Sequence, residues 1–195
     1  MVSFSLSNIK ESIELLRLNK AVMVKLAEDK SASFTGIIII AVPAVLNLVF
    51  SSLLFPSRFG AIFQHFLFWS MLVPFLALVG SIFIVPFAAE KFFSIKADYL
   101  KFFRILSHAA IILWLSFIPF LIDFIGIFAA ESFFNLFWFG GLAWICVVAY
   151  NVFSFRFHLN QQNSATLLAI FIVSYLLFQQ ILGKLLVGSY YGMFY

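Results

Sequence analysis

Five apolar tracts follow one another along this chain after a charged first 34 residues. They cover about 35–54, 65–87, 105–122, 133–153 and 165–182. A hydrocarbon core about 30 Å thick takes roughly 20 apolar residues wound as a helix. The pattern therefore predicts an all-α integral membrane bundle of five transmembrane helices (residues 35–195), preceded by an amphipathic N-terminal helical lead (residues 1–34). The first tract centres on Ile37–Ile40 and carries Pro43. Proline removes an amide from the helical ladder, so Pro43, Pro74, Pro86 and Pro119 are expected kinks or ends. The turn at 55–60 is short enough to make the first two spans an antiparallel pair. From Phe59 to Ala89 the chain runs 31 residues without a Lys, Arg, Asp or Glu. At about 1.5 Å per residue that exceeds the bilayer core, and the second span is expected to start near His65, bend at Pro74 and end near Pro86.

The lead predicts two short helices on the headgroups. Asn8 followed by Glu11 has the spacing of a capping box, after which Ile9, Ile13 and Leu16 share a face opposite Lys10, Glu11, Glu14 and Arg17. A second turn carries Val22, Met23, Leu26 and Ala27 and ends at Glu28-Asp29-Lys30. The segment 88–109 is the only strongly charged one between two apolar tracts. As one continuous helix it would gather Phe92, Ile95, Tyr99, Phe102, Phe103 and Leu106 within an arc of about 100°. Lys91, Asp98, Lys101 and Arg104 fall outside that arc and Lys96 intrudes. This predicts either an amphipathic helix along the membrane surface that runs into the next span or the cytosolic end of one long membrane helix, with Lys91, Lys96, Lys101 and Arg104 as a surface for lipid or a partner.

Composition sharpens this picture. Hydrophobic residues make up 64% of the chain and charged residues 10%, where soluble chains carry about 25% charged. The nine charges in the first 34 residues are unlike a signal peptide. Ten of the twelve basic residues fall on one side when the N-terminus is set inside, leaving Arg58 and Lys184 outside. Basic residues favour the cytoplasmic face, so the expected topology is multi-pass in the cell membrane, N-terminus cytoplasmic and C-terminus outside. The formal charge of +4, with so little soluble surface, points to anionic headgroups rather than nucleic acid. Oligomerisation has a candidate contact in Gly140-Gly141-Leu142-Ala143, small residues that let another helix approach.

Candidate chemistry is sparse. Cys146 stands alone in an apolar run. His65, His108 and His158 fall at different depths and have no metal-ligand spacing. No nucleophile elbow, paired intramembrane aspartates or phosphate-binding glycine loop occurs, and neither a cofactor nor an enzymatic activity is expected. Asp123 and Glu131 bracket an outer connection, where Arg58 could pair with either. Asn47 in the first tract and Gln179 and Gln180 in the fifth lie at similar depth. A hydrogen bond between those spans, worth about 0.6–2 kcal/mol, is the simpler expectation. A polar-solute site is the sharper one, in which Asn47→Leu would abolish transport without disturbing the fold.

Three stretches resemble the Yip1 family of five-span membrane proteins in its short, bacterial-type form. They are the charged lead Ile13-Glu-Leu-Leu-Arg through Lys25-Leu-Ala-Glu-Asp-Lys30 into a Gly-Ile-Ile-Ile-Ile span, the entry Asp98-Tyr-Leu-Lys-Phe-Phe-Arg-Ile-Leu-Ser-His-Ala109, and the polar connector before Ser164-Ala-Thr-Leu-Leu-Ala-Ile-Phe171. The resemblance implies a cytosolic N-terminus and an outer C-terminus. Eukaryotic members act in vesicle transport and bind Rab-type GTPases. The Asp-Leu-Tyr-Gly-Pro type motif associated with them is not in this sequence, and no functional residue carries over. The expected function is a non-enzymatic membrane protein that organises lipid or a membrane or cytosolic protein partner at the cytoplasmic face. The alternative is a small solute or ion transporter or channel.

Overall fold

Polar caps and corners divide the apolar tracts into helices. A computed structural model describes residues 6–54, 60–96, 98–118, 130–156 and 158–188, and among these all regular structure is helical. Helix α1 spans Leu6–Leu15 and α2 spans Lys20–Glu28. Asn19 opens α2, its side chain accepting from the Ala21 amide at 3.1 Å, which satisfies one of the amides a helix start leaves free. The residues α2 buries are Val22, Met23, Leu26 and Ala27, the set its spacing predicts.

Helix α1 departs in part from its pattern: Ile9 and Leu16 pack against the core and Lys10 and Arg17 are exposed, but polar residues join the inner face. Asn8, Glu11, Ser12 and Leu15 are buried while Ile13 is 52% exposed. The expected capping box does not form, because the helix starts ahead of Asn8. The Asn8 amide donates instead to Ser31 Oγ at 3.1 Å, and Glu11 pairs with Lys25 Nζ at 2.6 Å. Those partners lie far along the chain, so the burial of these polar residues is a tertiary effect.

Helix α3 runs Ala32–Leu54 and leaves α2 at 107°. Asp29 builds the corner, accepting the Ser31 amide at 2.8 Å and the Ser31 hydroxyl at 2.7 Å. Within α3, Pro43 cannot bond the carbonyl four residues back. That carbonyl, of Ile39, accepts Trp114 Nε1 at 2.9 Å instead. A neighbouring helix thus repairs the ladder, as the bilayer requires.

Helix α4 spans Gly60–Phe93 and passes unbroken through Pro74 and Pro86. It starts earlier and ends later than expected, and at 34 residues is about 51 Å long, enough to emerge from a membrane. It carries Glu90 and Lys91 beyond the apolar tract. The single amphipathic helix expected over 88–109 is instead divided. After Phe93, Ser94 takes the left-handed φ of 55°, and Asp98 caps a new helix, α5 (Tyr99–Ala109), by accepting the Leu100 and Lys101 amides. From α5 the chain continues as a 3₁₀ helix, Ala110–Phe117. Helix α6 spans Ala130–Arg156, and α7 spans Gln161–Leu182 with a π-helical turn at Gly183–Val187. Asn160 opens α7 by accepting the Asn163 amide at 2.8 Å, which makes the polar connector shorter than its composition suggests.

Among the described residues four helical stretches are long and apolar enough to cross a membrane: Leu72–Phe93, Tyr99–Phe117, Leu136–Arg156 and Gln161–Leu186. The bent pair of α2 and α3 makes a fifth candidate. The closest helix packing is between α4 and α7, while α5 sits among α1, α2, α3, α4 and α6. Three glycines admit close neighbours: a Cβ on Gly80 of α4 would lie 2.9 Å from the Phe178 ring of α7. A Cβ on Gly36 would fall onto the Ser107 hydroxyl, 2.8 Å from Ser107 Cβ, and one on Gly141 would lie 2.8 Å from Leu113 Cδ2. Gly140 faces open space, so of the adjacent pair in α6 only one glycine is used inside the chain.

Candidate functional site

At one end of the bundle the start of α5, the end of α6 and the length of α2 meet. Three tethers hold α2 across that end. Arg104 of α5, itself only 8% exposed, donates from its guanidinium to Ala27 O at 2.7 Å and to Ser33 Oγ at 2.8 Å. The cation thereby caps the carbonyl end of α2, where the helix dipole is negative. Glu28 accepts from Lys101 Nζ of α5 at 2.7 Å and from Arg156 Nη2 of α6 at 3.0 Å. Lys20 Nζ stands 5.1 Å from the centre of the Phe155 ring, a cation–π distance. A fourth contact, Trp144 Nε1 to Leu16 O at 3.1 Å, holds the turn after α1 against α6.

Behind this rim lies a fully buried polar layer. Ser107 Oγ and His108 Nδ1 both turn back to Arg104 O, at 3.2 and 2.6 Å. A carbonyl only accepts, so the His108 proton in that bond sits on Nδ1. Gly36 is packed directly on Ser107.

Charges at this end bias one another. The Lys101 hydrogen bond, with Arg156 adding its charge, holds the Glu28 carboxyl below its ordinary range despite desolvation. Burial pushes Asp29 upward, but hydrogen bonds from the Ser31 side chain and amide and the nearby Arg104 charge outweigh it, leaving Asp29 lowered. The Glu11 carboxylate, through its hydrogen bond and charge, raises Lys25.

A cavity of about 260 Å³ opens beside Glu28, lined by Lys96, Asp98, Lys101, Phe102, Ile105, Val152 and Arg156. Its lining combines Lys96, Lys101 and Arg156 with Asp98 and with the apolar Phe102, Ile105 and Val152. Lys101 and Arg156 are paired with Glu28 and Asp98 accepts the α5 amides, which leaves Lys96 as the cation at the opening with no ion pair among the described residues. Such a cavity can bind an anion carried on an apolar body. Among the described residues no group of three or more His, Cys, Asp or Glu converges to hold a metal.

The four basic residues expected to form one surface are therefore separated. Lys91 and Lys96 are exposed. Lys101 is half-buried and paired with Glu28, and Arg104 is buried in the α2 cap. The break at 94–98 removes the continuous helix that would have aligned them. Glu28 and Arg156, absent from the expected set, supply the anion and the third cation. Arg156 is the only Lys or Arg in its connector, which is the one local signal that could have marked it.

Of the intramembrane amides, Gln179 is half-buried and Gln180 exposed on α7. The Asn47 side chain lies outside the described residues, and the main neighbour of α7 is α4 rather than α3. The side chains of Arg58, His65 and Glu131, residue Asp123, Pro119 and the tail beyond Gly188 also lie outside them. Compared with family models, with curated proteins and with solved structures, the chain finds no match.

Proposed function

We propose that this chain is a non-enzymatic, multi-pass membrane protein of the Yip1-like kind, with its N-terminus in the cytoplasm and its C-terminus outside. Five helices cross the bilayer, and α1 and α2 rest on its cytoplasmic surface. Its work is to organise anionic lipid, or a partner that meets the membrane there, at the inner face. The observation that carries this reading is the meeting of Lys96, Lys101 and Arg156 at one opening, with Lys91 exposed five residues before Lys96, in a chain with so little polar surface. Positive charge at a membrane surface attracts anionic headgroups by about 1 kcal/mol per basic residue, and the exposed Lys91 and Lys96 are free to contribute.

The test is lipid selectivity around the reconstituted protein. In vesicles mixing phosphatidylglycerol with phosphatidylcholine, the unaltered chain should enrich phosphatidylglycerol in its surrounding lipid. The Lys91→Glu, Lys96→Glu double variant should lose most of that enrichment while keeping its unfolding temperature. Equal selectivity in both proteins would overturn the reading. Selective solute flux through the same vesicles would favour a transporter instead.

A further inference from the structure

The Glu28 carboxylate occupies a position that a phosphate would fill. Its Oε1 touches Lys101 Nζ at 2.7 Å and Arg156 Nη2 at 3.0 Å, and its Oε2 touches Lys101 Nζ again at 2.9 Å. Because both cations contact one oxygen, their nitrogens converge on a single point, as a bridging phosphate demands. Lys96 stands at the same opening and makes no contact with Glu28. We propose that Lys96, Lys101 and Arg156 form a binding site for the phosphate headgroup of a membrane lipid, with Glu28 as the internal anion that holds the site closed until lipid displaces it.

Three features choose this ligand over other anions. Phe102, Ile105 and Val152 back the cavity, an apolar lining of which little is exposed and which suits a headgroup joined to an apolar body. The volume, about 260 Å³, is below the roughly 300–1,000 Å³ of sites that enclose whole small molecules. It has the size of a headgroup, the rest of the lipid lying outside it. Finally, Glu28 can leave without unfolding anything. Its side chain is 55% exposed, so rotation into water frees both cations, while α2 stays anchored by the Arg104 bonds to Ala27 and Ser33. A phosphodiester brings one negative charge, as Glu28 does, but offers more acceptor oxygens and reaches Lys96 as well.

This inference rests on the lipid-organising reading above and is tested separately from it. Purified protein in uncharged detergent is titrated with short-chain phosphatidylglycerol, short-chain phosphatidylcholine and inorganic phosphate, and the unfolding temperature of each variant is recorded. Phosphatidylglycerol should bind with a measurable Kd and at least ten-fold more tightly than either other probe. Glu28→Gln, which keeps the shape and removes the competing charge, should tighten that Kd about three- to ten-fold. Lys101→Gln with Arg156→Gln should weaken it at least ten-fold. Lys96→Gln, which leaves the Glu28 contacts intact, should weaken it about three-fold with no change in unfolding temperature. That variant keeps the proposal falsifiable if loss of the pair destabilises α2. Inorganic phosphate binding as tightly as the lipid, or a Kd indifferent to Glu28→Gln, would overturn the site. If selectivity in vesicles still followed Lys91 and Lys96, only the site would fall. If it did not, the broader reading would fall too.

Discussion

Helix α5 with the 3₁₀ helix that continues it, and helix α7, are both long and apolar enough to cross a membrane, yet their surroundings are opposite. Of the stretch Tyr99–Phe117, 72% is buried inside the protein, against 22% of Gln161–Leu186. The residues from Phe102 to Ala109 are buried without a gap, and they include Arg104, Ser107 and His108. Helix α7 instead turns Ile172, Val173, Leu176, Leu177 and Ile181 outward. A helix surrounded by protein can carry a charge where its neighbours supply partners, as Ala27 O and Ser33 Oγ do for Arg104, while Ser107 and His108 turn to a carbonyl of their own helix. One surrounded by lipid must be apolar on its outer face, since nothing there can answer a polar group. Mean hydropathy identifies both as membrane helices and cannot rank them. Their polar residues do, and α5 is the hub.

The sharpest way to break this contrast is at Arg104. Arg104→Met keeps much of the side-chain volume and removes the donors to Ala27 O and Ser33 Oγ. Hydrogen bonds to charged groups contribute about 1.5–3 kcal/mol each, and a bare buried carbonyl adds a further penalty. The variant should lose about 2–4 kcal/mol in a denaturation series in detergent. It should also loosen α2, seen as faster hydrogen exchange at its last-turn amides. A loss below about 1 kcal/mol would show that α5 is not the hub.

Next in size is a pair of glycine substitutions expected to differ in sign. Gly36→Ala pushes a methyl onto Ser107, on the buried face of α5. Overpacking costs about 1–3 kcal/mol, only partly offset by the helix preference of alanine, about 1 kcal/mol. Gly140→Ala meets nothing within 4 Å and should keep that preference as a small gain. Thermal unfolding of the two variants side by side measures the difference. Equal shifts would mean that the Gly36 contact is not close.

Much of the architecture was legible from spacing, because the forces behind it are local. The apolar tracts became helices, and the residues buried by α2 are those its periodicity selects. What could not be read depends on partners far away in sequence. Helix α1 looks amphipathic with Ile9 and Ile13 inward, but Ser31 and Lys25 draw Asn8 and Glu11 in. Segment 88–109 looks continuous because Ser94 and Asp98 are tolerable inside a helix pattern. Only the structure shows Ser94 in a left-handed conformation and Asp98 capping. At the candidate site, Lys96 and Lys101 were visible as basic residues near a membrane surface. Glu28 and Arg156, 128 residues apart, had no signal connecting them.

A smaller effect tests the rim of the hub. Glu28 and Asp29 both have carboxyls lowered in the folded protein. Their contribution is therefore fully present above their ordinary values of 4.5 and 3.8, and it is lost as pH falls through the lower folded values. The unfolding temperature should therefore fall as the pH drops below about 5. Glu28→Gln should flatten part of that fall, and 1 M salt should flatten it further by screening the exposed pairs. An acid limb unchanged by Glu28→Gln would mean that the Lys101–Glu28–Arg156 contacts add nothing to stability. The Arg104 cap and the Lys20–Phe155 contact would then hold α2 across that end.

The smallest effect belongs to α7 and completes the contrast. Leu177 is 56% exposed, so in detergent its neighbours are mostly solvent tails rather than protein. Lipid is as apolar as leucine, and a side chain facing it gains little from burial in the protein. Leu177→Ala should therefore change stability by no more than about 0.5 kcal/mol. Leu106→Ala, at a fully buried position of α5, should cost about 2–5 kcal/mol through the cavity it leaves. The comparison is made in dilute micelles and again in vesicles at high protein density. If Leu177→Ala became costly only in the second setting, the outer face of α7 would be covered there by another copy of the chain. If it were costly in both, α7 would be packed inside the protein and the distinction from α5 would fail.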